Sequence, residues 1–157
     1  MDSINRILEN GREIELTYAK KRGIILLRRY NDLLYISGHG PEDQRTGEPI
    51  FKGRVGGELT PEEGYQAARE CAIIILGVLK DTLGTLDKVK RIIKVFGLVN
   101  CDNGFDQIDE VMDGFSDTIT EVLEERGYHA RTEMGTHNMP NGNIPVEVEV
   151  IVQVEAN

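Results

Sequence analysis

Arg131 and Glu147 are of types that could do chemistry on a small polar molecule, although on residue type alone Arg131 also reads as an exposed strand arginine. A guanidinium presents its N–H groups as a planar fork that fits a carboxylate. A glutamate can accept a hydrogen bond from a water molecule as that water attacks an electrophilic carbon. Glu133 lies two residues beyond Arg131, and Glu149 two beyond Glu147. In extended chain each pair therefore shares a strand face. Ser37 and Gly38 form a segment where the missing side chain lets a ligand approach the backbone closely. Each of these residues also fits a blander reading. Val146-Glu147-Val148-Glu149 alternates as any half-solvated strand does, and Asp113 reads as an exposed mid-helix residue. His39, His129 and His137 are too scattered to suggest a metal site, although His137 shares strand parity with Arg131. Cys71 and Cys101 form no CxxC pair and read as buried, reduced thiols. We expect no metal and no cofactor.

The elements that must hold these residues can be read from periodicity and punctuation. Ser3, Ile4, Leu8 and Gly11 suggest a short helix in an N-terminal extension over residues 1–20, followed by a short strand. Two β-rich runs, 23–30 and 33–37, meet at Asn31-Asp32 in a hairpin pattern. Residues 38–57 contain six glycines and two prolines and read as loop, with room for one short strand at 50–55. Thr60-Pro61-Glu62-Glu63 predicts a helix start with a capping box and proline at the first position, and the helix should stop before Gly84. A strand over 89–100, a turn at 101–104 and a second helix from about 105 to 125 follow. Strands at 129–137 and 146–154 close the chain and read as a second hairpin through residues 138–143.

Two long helices on one face of a mixed sheet make a two-layer α+β sandwich in a single domain spanning 1–157. The strands at 24–27 and 89–100 carry apolar residues toward both faces, and two helices can cover only one. The other face needs a partner, most simply another subunit. The formal charge is −9, with 39% hydrophobic and 29% charged residues. That negative field disfavours nucleic acid as a partner. No apolar run reaches bilayer length, so a membrane partner is not expected, and the first residues do not resemble a signal peptide, so a cytoplasmic location is expected.

Four segments together resemble the Rid (reactive intermediate deaminase, YjgF-like, L-PSP endoribonuclease-like) family. They are Leu34 to Pro41 (LYISGHGP), Val55-Gly56 with Thr60 to Tyr65 (TPEEGY), Leu86 to Arg91 (LDKVKR), and His129-Ala130-Arg131-Thr132 with Met139-Pro140 and Val146 to Val150 (VEVEV). The joint order and spacing carry the resemblance, which covers roughly residues 20–155. It implies a fold like that of a small trimeric chorismate mutase, a homotrimer with ligand clefts between subunits, and hydrolysis of imine or enamine acids to keto acids and ammonia. It further implies that Arg131 holds a substrate carboxylate and that Glu147 holds the attacking water. Ser37, Gly38, Asp113, Glu133 and Pro140 would line the cleft and contact substrate.

This chain departs from the family's best-studied branch in three places. Asp113 stands where an asparagine is common, Glu133 replaces a cysteine, and no tyrosine stands near Ile24 or Ile25. A deaminase-type hydrolase and a non-catalytic binder of small carboxylates are therefore both open readings, with an endoribonuclease disfavoured by charge. Arg131 is expected to serve binding far more than folding. A register set by a connection longer than a two-residue Asn141-Gly142 turn would move Arg131 onto the Glu147 face. The two would still lie too far apart in one chain to hold one small substrate, so the site should join two subunits.

Overall fold

The computed structural model describes residues 24–156. The helical extension and short strand expected over 1–20 lie outside the described residues. Strands β1 (Leu27–Tyr30) and β2 (Leu33–His39) form the expected hairpin, turning at Asn31 with φ 54°. No strand forms at 50–55. Val55 makes only isolated bridges to Leu59 and Cys101.

Helix α1 (Pro61–Leu83) begins at the full capping box. The Thr60 hydroxyl accepts from the Glu63 N–H, and the Glu63 carboxylate accepts from the Thr60 N–H. It ends where Gly84 turns left-handed at φ 80°, a conformation without strain only for glycine. A 3₁₀ turn (Leu86–Lys88) leads into β3 (Val89–Asn100). Then come α2 (Ile108–Leu123), a 3₁₀ turn (Glu124–Gly127), β4 (Ala130–Thr136), a helical turn (Pro140–Asn143) and β5 (Val146–Val154).

The five strands form one mixed sheet in the order β1-β2-β5-β3-β4, with β4 parallel to β3 and every other pair antiparallel. The expected closing hairpin is not there. β5 is inserted between β2 and β3, and β3 separates it from β4. The two sequences explain the difference. β5 has alternate valines buried from end to end and pairs along both edges, as a central strand does. β4 is exposed or half-exposed throughout, with polar residues in place of valines, and such a strand suits a sheet edge.

Both helices lie on one face of the sheet. Residues 71–79 of α1 are all buried, because the sheet covers one side of the helix and α2 the other. The α1–α2 contact is close: a Cβ added at Gly114 would come within 2.1 Å of the Tyr65 carbonyl oxygen. The opposite face has no helix. It carries half-buried Leu33, Phe96, Leu98 and Ile151, with Tyr35 and Met134 exposed at 44% and 53%. Among the described residues no helix is long and apolar enough to cross a membrane.

Candidate functional site

Arg131 stands on the edge strand, paired with Val95, whose side chain is fully buried under the helices. Arg131 therefore points to the helix-covered face. The expectation that it shares a face with Glu147 is overturned, because β4 takes its register from β3 and not from β5. A guanidinium has five N–H donors, and here each has an acceptor. Nε and Nη2 donate to the two oxygens of Glu133, both at 3.2 Å. Nη1 donates to Asp113 Oδ1 at 2.9 Å and to Ser116 Oγ at 3.0 Å. Nη2 also donates to the Asp109 carbonyl at 3.3 Å. Asp109, Asp113 and Ser116 fall on one face of α2 because their spacing is helical. Burial works against the charge, but the bonds to Asp113 and Glu133 outweigh it and raise the Arg131 pKa above its usual value. Arg131 thus ties the edge strand to α2 and has a folding role of its own.

Ser116 links this network to His129. The Gly127 carbonyl can only accept, so His129 Nδ1 carries a proton and donates to it at 2.6 Å. Burial, and then the neighbouring Arg131 charge, lower the His129 pKa and favour the neutral ring. In that form Nε2 is an acceptor and takes the Ser116 hydroxyl proton, 2.9 Å away, while the Ser116 Oγ accepts from Arg131. Ser116 and His129 were missed as site residues. The three-residue step from Asp113 to Ser116 was the available signal. His137, whose parity had suggested the cleft, is exposed and bonds to the Cys101 carbonyl instead.

Glu147 occupies the other, open face, paired with Leu98 of β3. No described residue donates a hydrogen bond to its carboxylate. Burial, then the charges of Glu42 and Glu149, push its pKa up. Gly38 makes room for it: a Cβ there would meet Glu147 Oε1 at 2.4 Å. A bulge between Ile36 and His39 presents Ser37 and Gly38 at this point. The Ser37 hydroxyl is committed to the Ile25 carbonyl at 2.7 Å. Ser37 also lines a depression of about 320 Å³ on the open face, with Arg28, Tyr35, Lys94, Phe96 and Glu149.

Pro140 opens the helical turn before β5 and is exposed. Its neighbour Asn141 donates to Glu42 Oε1 at 2.7 Å and to the Gly47 carbonyl at 2.9 Å, tying the turn to the loop beside Glu147. Glu42 was not picked out from sequence, where it read as loop. Cys71 is fully buried and its thiol pKa is well raised by burial, so it is no nucleophile. Among the described residues, no group of three His, Cys, Asp or Glu side chains could hold a metal ion.

The candidate residues thus form two groups on opposite faces of one sheet. Arg131, Glu133 and Asp113, with Ser116 and His129, make one; Glu147, Gly38 and Glu42 make the other. A family model described as "YjgF/chorismate_mutase-like, putative endoribonuclease" matches residues 30–152. Protein TCP17 of Trypanosoma cruzi is 38% identical over 122 residues, covering 77% of this chain and 74% of that protein. Among solved structures, Atu1372 from Agrobacterium tumefaciens, a protein of unknown function, is 31% identical with a TM-score of 0.86, over 98% of this chain and 94% of that one. A "putative endoribonuclease" from Shewanella oneidensis shares the fold, with a TM-score of 0.86 at 24% identity, over 98% of this chain and all of that one. The chain belongs to the YjgF-like Rid family, as its motifs indicated.

Proposed function

We propose that the protein hydrolyses small imines or their enamine tautomers, releasing ammonia and a carbonyl product, in a cleft between subunits of a cytoplasmic homotrimer. The observation that carries this reading is Glu147: a half-buried carboxylate with a raised pKa and no described hydrogen-bond donor, set over the bare backbone of Gly38. A carboxylate tuned upward toward neutral pH is a better general base than a solvated one. Glu147 accepts a proton from water while the water oxygen bonds to the imine carbon and the C=N electrons pass to nitrogen. Glu147 then gives that proton to the nitrogen, and the carbinolamine collapses to the carbonyl as its hydroxyl proton passes to the departing ammonia, leaving Glu147 ionised again. Atoms balance as imine plus water giving carbonyl plus ammonia.

The subunit arrangement rests on the two faces. Arg131 and Glu147 of one chain lie on opposite sides of the sheet, so one small molecule touches both only where two chains meet. The apolar open face, with Phe96, Leu98, Ile151 and Met134, supplies surface for such an assembly. Light scattering should give three times the chain mass, and a monomer at micromolar concentration would rule the arrangement out.

A second reading, non-catalytic binding of a small ligand, is favoured by the saturation of Arg131. A substrate carboxylate reaches the guanidinium only by displacing an acceptor, and of the two carboxylates Asp113 is the more exposed, its side chain at 52% against 21% for Glu133. An endoribonuclease reading gains nothing from this acidic chain. The deciding experiment is ammonia release from a panel of enzymatically generated imines, covering both amino-acid-derived and uncharged amine-derived imines. The hydrolase reading predicts faster release with protein than without on at least one of them. No acceleration on any imine, with a ligand still bound, would leave the binding reading.

A further inference from the structure

The cluster around Arg131 carries a negative excess, and we infer that the ligand it meets lacks a free carboxylate at that end and instead offers N–H donors or positive charge. This inference rests on the cleft reading above and names the class of molecule that the cleft takes.

Arg131 has no donor to spare. All five guanidinium N–H groups of Arg131 are engaged, two by Glu133 and the others by Asp113, Ser116 and the Asp109 carbonyl. A carboxylate approaching this cluster finds no free donor on the arginine. It would have to expel Asp113 or Glu133, exchanging one carboxylate for another with no gain in hydrogen bonds. The Glu133 fork is the harder to open, since its side chain is only 21% exposed and that of Arg131 18%.

Charge points the same way. One arginine faces two carboxylates, which leaves an excess of negative charge. His129 adds little to the positive side, because it lies part-buried with Nδ1 donating to the Gly127 carbonyl, and burial favours its neutral form. A ligand carboxylate would be a third anion, entering against like charge at a partly desolvated site, where such repulsion is weakly screened. A cation or a neutral amide meets the opposite situation. Asp113 uses only Oδ1 on Arg131, and its exposed carboxylate keeps Oδ2 to accept from a ligand N–H. If the partner face of the assembled cleft brings Glu147 and Glu42, it adds further negative charge. Arg131 then acts as the fixed centre that holds two acceptors in place, and Asp113 and Glu133 become the residues that set specificity.

The test compares 2-oxobutanoate with 2-oxobutanamide, candidate products that differ only in the end group, by calorimetry on the full-length protein. The amide should bind about tenfold more tightly than the acid. Asp113→Ala, which frees an Nη1 donor and removes a charge at a half-exposed position, should shift that preference toward the acid by at least about fivefold. Glu133→Gln, with its melting temperature checked, should shift it in the same direction. Tighter or equal binding of the acid to the native protein, or a preference that Asp113→Ala leaves unchanged, overturns the inference. Binding of neither molecule overturns the cleft reading and the inference with it. An amide preference without imine hydrolysis overturns the hydrolase reading alone.

Discussion

The two faces of the sheet hold charge in opposite ways. On the helix-covered face, Arg131 sits among five acceptors, and Gly114 lets α1 and α2 approach so closely that the Tyr65 carbonyl fills the space a side chain would need. On the open face, Glu147 has neighbours of its own sign and no described donor. A half-buried carboxylate beside others of its own sign costs stability, and such groups are often found where chemistry uses them. The saturated face reads as scaffold with a specificity wall, the unsaturated face as the reactive one.

The contrast can be broken first on the helix side. Gly114→Ala should be the most damaging small substitution, lowering stability by about 3 kcal/mol, because the added methyl meets backbone and the helices must separate. Denaturant unfolding measures it, and a loss under about 1 kcal/mol would mean that the interface has give. Arg131→Ala should follow at about 2 kcal/mol, reduced from the cost of a fully buried pair because Asp113 is half exposed. A stability equal to the native protein would make the five-bond network ornamental and return Arg131 to a pure binding role.

The open face should respond with smaller effects and of opposite sign. Glu147 has its folded pKa raised above the unfolded value, so the folded protein holds that proton more tightly. The cost of ionising it is fully present above the folded pKa and vanishes as pH falls below the unfolded one. Glu147→Gln should therefore raise the melting temperature by about 2 °C at pH 8, with the gain closing at low pH, below the ordinary glutamate range. A gain that is the same at every pH would remove the electrostatic explanation. Gly38→Ala should leave the melting temperature within about 1 °C, since the new methyl meets the movable end of Glu147 rather than backbone. It should nevertheless cut imine hydrolysis by about tenfold, through displacement of that carboxylate. Full activity would show that Glu147 does not need its present position.

Much of this was legible in the sequence, for identifiable reasons. The capping box at Thr60, the stop at Gly84, the bounds of β3 and the alternation of β5 are local signals, and they hold. The pairing of β4 was not legible. Nothing local in residues 130–136 says whether the strand follows β5 or β3, and sequence adjacency suggested a hairpin where the fold makes a parallel edge. That one topological choice reversed the face assigned to Arg131. It also hid Ser116 and His129, whose roles depend on α2 lying beside β4. The separation of Arg131 from Glu147 within one chain was anticipated from distance along a hairpin; the observed cause is the sheet itself standing between them.

The central claim is that Glu147 is the base that activates water, and its neighbour Glu149 provides the matched control on the same strand face. The measurement is the rate of ammonia release from an imine that the native protein turns over, compared across native, Glu147→Gln and Glu149→Gln proteins at equal concentration. Loss of a general base predicts a fall of at least about 100-fold for Glu147→Gln and a near-native rate for Glu149→Gln. A Glu147→Gln protein as active as the native one would contradict the account.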